Sequence, residues 1–270
     1  MMRFSVSELS TLRWSFEEDI EFCVQNGIRA LGIWRPKLSD FGEERGIELL
    51  REHEMAVSSV SWAGGFTGNE HLNHNECIED GIEAVRIAAA ARAGCLLVHT
   101  GPLAGHIQTH AFRLARMAID ELAGVAHDLD VTIALEPMPS CCCSDWTFLN
   151  DLDLTMEFIS SIRGGGVKLV FDTYQWGNHP DVLARLPELV RHIGLVQLGD
   201  ARKAPERDQS RCPLGAGILP LREVLQSLHE AGYTGFYELE VHGEEMQGVD
   251  YCSMISQSRA VYESLVAVGG

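Results

Sequence analysis

Short apolar runs that end in an acid recur along this chain, and they constrain its fold more than any other feature. Val131–Glu136 (VTIALE), Val167–Asp172 (VKLVFD), Ile193–Asp200 (IGLVQLGD) and Phe236–Val241 (FYELEV) each read as a strand, and each carries an acid at or near its end. Burying a carboxylate is costly unless a metal, a cation or a hydrogen-bond network compensates it. Parallel strands in a closed barrel bring their C-terminal ends to one face, where active-site groups collect. Oxygen donors from several strand ends meeting there would bind a divalent cation. The pattern therefore predicts a metal-dependent enzyme on an α/β fold, a (β/α)8 TIM barrel.

The rest of the chain supports that architecture. Strand-like and helix-like segments alternate throughout, and 270 residues is the normal size for one such barrel. Strands are expected near Phe4, at Ala30–Trp34, Ala56–Trp62 and Cys95–His99, at the acid-ended runs, and around Leu195–Leu198. Several are continuous apolar runs, as strands buried on both faces should be. Helices are expected after Ser15, from Phe41 to His53, Ile78 to Ala93, Gln108 to Leu129 and Asp151 to Ile162, after Pro180, and at Leu219–Ala231 and Tyr251–Val268. Ser15 and Asn150 are candidate N-caps. The Gly-rich stretch Ala63–Asn69 lacks the lysine and spacing of a phosphate-binding loop and reads as a barrel loop. A doubly wound open sheet would place a Gly-rich fingerprint after its first strand, and none is present. With no linker or composition break, residues 1–270 are read as a single domain.

A formal charge of −18 argues against nucleic acid and anionic membranes as partners, since both need a basic footprint. No apolar run is long enough to span a bilayer, and the N-terminus has no secretory apolar core. The eight cysteines include no C-x-x-C pair and read as reduced thiols of a cytoplasmic protein. Three of them are consecutive, Cys141–Cys143. Adjacent side chains point apart and do not readily ligate one ion, so sensitivity to oxidation is expected there rather than catalysis.

The strand-end rule selects Glu136, Asp172, Gln197 and Glu240. Alternation puts Glu238 on the same side as Glu240, with Glu240 nearer the strand end. His99, ending the fourth strand, is a candidate pocket residue, with His106 and His179 weaker ones. Arg35 and Lys37 are candidate carboxylate or phosphate contacts, and Trp62 and Phe66 a candidate apolar wall.

The runs Leu135–Met138 (LEPM), Phe171–Tyr174 (FDTY), Val196–Asp200 (VQLGD), Pro213–Ile218 (PLGAGI) and Gly232–Glu240 (GYTGFYELE) resemble the xylose isomerase-like barrel superfamily of sugar phosphate isomerases and epimerases. The resemblance implies metal ligands at Glu136, Asp172, Gln197 and Glu240, with Glu136 and Glu240 also exchanging protons with substrate. It places His99 at the pocket wall, Arg207 where a substrate-binding basic group is usual and Gln175 at a position that contacts substrate, and barrels of this group often self-associate. Arg35 and Trp62 join the expected substrate contacts from the reading of their own segments. Two positions depart from the family pattern. Gln197 stands where His is usual, as in members similar to hydroxypyruvate isomerase. Gln175 replaces the His of Asp-x-x-His. Three carboxylates and an amide suit Mn²⁺ or Mg²⁺ better than Zn²⁺ or Co²⁺. The larger His set of the zinc nucleases in this superfamily is missing from Arg207–Gly217. The implied function is metal-dependent isomerisation or epimerisation of a keto sugar or small hydroxy-carbonyl compound through an enediolate. The alternatives are a lyase acting on a keto sugar, inosose or 3-keto glycoside, and a non-catalytic sugar-binding subunit.

Overall fold

The computed structural model describes residues 3–68, 71–143, 145–179, 181–207, 210–243 and 246–267. Along the chain run β1 (Arg3–Ser7), α1 (Phe16–Gln25), β2 (Ala30–Trp34), α2 (Arg35–Phe41), α3 (Glu43–Glu52), β3 (Ala56–Gly64), α4 (His74–Ala91), β4 (Leu96–His99) and α5 (Gln108–Asp128). Then come β5 (Ile133–Leu135), α6 (Leu152–Ser161), β6 (Val167–Asp172), α7 (Thr173–Trp176), α8 (Val182–Leu189) and β7 (Ile193–Leu198). The chain ends with β8 (Asp200–Ala201), β9 (Arg211–Cys212), α9 (Leu221–Glu230), β10 (Phe236–Leu239) and α10 (Tyr251–Val266). Eight strands close a barrel in the order β1-β10-β7-β6-β5-β4-β3-β2. Every pair in it is parallel.

The expected barrel is therefore the observed one, with local differences. Arg35 and Lys37 lie on a short helix rather than in a loop, because Pro36 occupies its first turn, where a missing N–H costs nothing. Ser15 caps α1 in a full capping box with Glu18. The cap of α6 is Asp151, not Asn150: its side chain accepts the N–H groups of Asp153 and Leu154. Pro180, expected at a helix start, lies outside the described residues, as do Asn69 and Val268. Among the described residues, no helix is long and apolar enough to cross a membrane.

Side-chain alternation builds the site. Ala30, Cys95, Leu97, Ala134, Val170, Leu195 and Phe236 form one buried cluster inside the barrel. The opposite-facing residues, among them Leu96, Val98, Leu135, Phe171, Val196, Tyr237 and Leu239, join the larger core under the helices. Two residues beyond five of these plug residues comes a polar one: His99 after Leu97, Glu136 after Ala134, Asp172 after Val170, Gln197 after Leu195, Glu238 after Phe236. The period of two carries these groups into the barrel interior at its C-terminal end.

Candidate active site

Glu136, Asp172, Gln197 and Glu240 are all at most 3% exposed and sit at or just past the ends of β5, β6, β7 and β10. Glu136, Gln197 and Glu240 line one cavity of about 150 Å³, together with His99, Trp62, Met138, Trp146, Arg211 and His242. A larger cavity of about 570 Å³ adjoins it, sharing Trp62, His99 and Trp146 and extending past Thr67, Pro102 and Asp145. The indole rings of Trp62 and Trp146 meet edge to face, with centroids 5.4 Å apart. The His99 ring lies 5.6 Å from Trp62 and 5.4 Å from Trp146. Trp62 and Trp146 line both cavities.

Each acid is held by protein donors. His99 Nε2 lies within hydrogen-bond distance of Glu136 Oε2, at 2.8 Å, and Gln175 Nε2 donates to Glu136 Oε1 at 3.0 Å. The backbone N–H of Tyr174 donates to Asp172 Oδ1 at 2.8 Å. Gln197 Nε2 donates to Glu240 Oε2 at 2.6 Å, while Gln197 Oε1 is buried with no hydrogen bond among the described residues. His242 Nε2 lies 3.5 Å from Glu240 Oε1.

Arg211 is the residue that the reading of the sequence missed. It is 1% exposed, with Nη1 2.6 Å from Asp172 Oδ2 and Nη2 3.8 Å from Glu240 Oε1. Its guanidinium lies 4.7 Å from the centroid of the Tyr174 ring, a cation–π arrangement. The β8–β9 ribbon places it, with Ala201 opposite Arg211. Asp200 fixes the ribbon by accepting the N–H groups of Ala201, Gly215, Gly217 and Leu219 at 2.8–3.1 Å. A Cβ on Gly217 would stand 2.1 Å from Asp200 Oδ1, so the PLGAG turn needs glycine there. That turn and Asp200 were the available signal: a buried acid collecting backbone N–H groups fixes whatever the ribbon carries.

The expected substrate contacts divide. His99, Trp62 and Gln175 are at the site, although Gln175 is spent on Glu136. Arg207 is exposed, and the basic side chain lining the cavity is Arg211 in its place. Arg35 forms a bidentate ion pair with Asp80 at 2.7–2.9 Å and donates to Trp62 O, which ties α2 to α4 and steadies β3. Lys37 is buried in a separate cluster, bonded to Asp19 and to Thr11 O. His106 bonds Thr67 O, His179 is exposed, and Phe66 is core. All eight cysteines are free thiols, and Cys141–Cys143 are not among the residues that line the two cavities.

Glu238 sits one layer below. It is fully buried and accepts from Ser58 Oγ at 2.5 Å and Ser59 Oγ at 2.8 Å. Burial, reinforced by the charges of Glu240 and Glu136 and opposed by the serine hydroxyls, pushes its carboxyl up to about 7. Gly32 makes room for it, since a Cβ there would stand 2.3 Å from Glu238 Oε2.

The expected metal meets this arrangement poorly. Hydrogen-bond donors and a guanidinium, rather than converging lone pairs, face the space between the acids. Among the described residues, no three His, Cys, Asp or Glu side chains are set to hold one ion. With Arg211 where it is, the four-residue donor set does not fit a divalent cation.

The chain is thus a closed (β/α)8 barrel with buried acids and a buried cation at its C-terminal mouth. Residues 20–264 match the xylose isomerase-like TIM barrel family, and the chain belongs to it. No curated protein matches the chain in sequence. Among solved structures, protein SMc04130 from Sinorhizobium meliloti 1021 superposes with a TM-score of 0.89 at 21% identity, covering 97% of this chain and 98% of that one. The IOLI protein, solved with a bound zinc atom, gives 0.86 at 18% identity over 100% and 99% of the two chains. An L-ribulose 3-epimerase gives 0.81 at 15% identity over 100% and 96%.

Proposed function

We propose that this protein enolises a keto sugar or small hydroxy-carbonyl compound and returns the proton elsewhere, as an isomerase or epimerase. One observation carries the reading: Glu136 and Glu240, from strands on different sides of the mouth, line the same small cavity beside a buried cation. The epimerase and zinc-bound IOLI neighbours support it.

In this reading one glutamate removes the proton beside the carbonyl, and the other delivers a proton to the adjacent carbon or the opposite face. His99 and Gln175 hold Glu136 in place, and Gln197 holds Glu240. Arg211 faces the developing oxyanion and offsets its charge where water is largely excluded. Asp172 fixes Arg211. Mn²⁺ or Mg²⁺, the ions expected from the donor types, would supply Lewis-acid polarisation of the carbonyl when bound.

A second reading is elimination: the same proton leaves, and a β-substituent is expelled from a keto sugar, inosose or 3-keto glycoside. The adjoining cavity of about 570 Å³, walled by Trp62 and Trp146, favours it by offering space for a leaving group. The free thiols support a reducing, cytoplasmic setting.

The test is incubation with a panel of keto sugars in D₂O, read by NMR and mass spectrometry. Deuterium beside the carbonyl with conserved mass supports isomerisation. Loss of water or of an aglycone selects the lyase. No exchange anywhere in the panel rejects both and leaves a sugar-binding protein. Sedimentation of the same sample reads whether the chain self-associates.

A further inference from the structure

We propose that Arg211 is a built-in competitor of a divalent cation: its guanidinium and a metal ion claim the same carboxylates, Asp172 and Glu240, and each excludes the other. The reaction catalysed does not enter this inference, which stands on the arrangement of charge at the barrel mouth.

The guanidinium lies 2.6 Å from Asp172 Oδ2 and 3.8 Å from Glu240 Oε1. A hard divalent ion binds carboxylate oxygen at about 2.0–2.6 Å. An ion on Asp172 Oδ2 would therefore stand within roughly 5 Å of Nη1, a sum of two bond lengths at most. A divalent and a monovalent cation that close repel strongly where water does not screen them. For the ion to enter, Arg211 must withdraw.

A second observation points the same way. Gln197 turns its amide nitrogen to Glu240 and leaves Oε1 buried without a hydrogen bond among the described residues. An unmatched buried carbonyl carries a penalty. Rotation of the amide by half a turn would aim that oxygen toward the Glu240 carboxylate, which is repulsive unless a cation lies between them. The same four residues thus have two self-consistent arrangements. In one, Arg211 pairs with the acids and Gln197 donates. In the other, a metal ion pairs with the acids and Gln197 accepts. Asp200 pins the ribbon backbone, so the exchange is confined to the Arg211 side chain, which borders the cavity of about 150 Å³.

Metal-free full-length protein, wild type and Arg211→Met, is titrated with Mn²⁺ by calorimetry, with thermal melts alongside. Arg211→Met is expected to bind Mn²⁺ at least tenfold more tightly, to melt lower than wild type without metal, and to gain more from Mn²⁺. Equal or weaker Mn²⁺ affinity in Arg211→Met overturns the proposal, and so does absence of binding in both proteins. Should Arg211→Met fail to fold without metal, Arg211→Lys gives the second reading. Lysine is shorter and offers one nitrogen in place of the planar fork, so it holds the two carboxylates less firmly; Mn²⁺ affinity should rise severalfold, and an unchanged affinity overturns the proposal. Absence of deuterium exchange in the sugar panel would remove the enolisation reading and leave this one standing.

Discussion

Glu238 and Glu240 are two residues apart on the same strand path, both buried, and they solve the same problem in opposite ways. Glu240 lies in the upper layer, where Arg211, His242 and Gln197 surround it with donors and positive charge. Glu238 lies in the layer below, where two serine hydroxyls are its partners and burial pushes its carboxyl up to about 7. One acid is paired with a cation, and the other is held by hydroxyls with its proton bound more tightly than usual. A step of one layer in a narrow barrel separates an acid beside a cation from an acid held by hydroxyls, because Arg211 reaches only the upper one.

The largest expected effect tests the upper layer. Glu240→Gln and Glu136→Gln should each lower turnover by about 10²–10⁴-fold, the usual contribution of a positioned acid or base, with circular dichroism unchanged. Glu238→Gln should keep its turnover. Equal losses at 238 and 240 would erase the distinction between the layers.

Next comes stability. Removing the cation from the upper layer with Arg211→Met leaves buried charge uncompensated and should cost about 3–5 kcal/mol in urea unfolding at neutral pH. Adding Asp172→Asn should recover part of that loss. Independent, additive costs would show that the two side chains do not act as a pair.

The lower layer should announce itself through pH. Between the ordinary carboxyl value of 4.5 and its folded value of about 7, Glu238 keeps a proton that the unfolded chain has released. The folded state then binds more protons, so stability falls as pH rises through that window and levels off above it, by on the order of 3 kcal/mol. Glu238→Gln should flatten this slope, measured by urea unfolding across the window. A slope that survives the substitution belongs to another group. The smallest effect is expected from Ser58→Ala, which removes one hydroxyl from Glu238 and should cost about 1 kcal/mol.

The barrel and its acids were legible because their signals are local. A period of two, an apolar plug and a polar residue two positions later identify Glu136, Asp172 and Gln197 without knowledge of the closed sheet. Arg211 was not legible in that way. Its role depends on a two-residue ribbon, β8–β9, whose pairing is set by Asp200 collecting N–H groups from a turn more than ten residues away. The family resemblance pointed instead to Arg207, four residues earlier. The same limit explains Arg35 and Lys37. Both look like exposed basic groups after a strand, and both are consumed by acids, Asp80 and Asp19, that only folding brings to them.

The perpendicular indoles of Trp62 and Trp146 have a consequence outside catalysis. Their transitions are close enough to couple, and the imidazole of His99 lies against both. The mouth therefore carries its own optical reporter. Near-ultraviolet dichroism and tryptophan emission should register any molecule that parts or covers this pair, so ligands can be sought by light before the reaction is known.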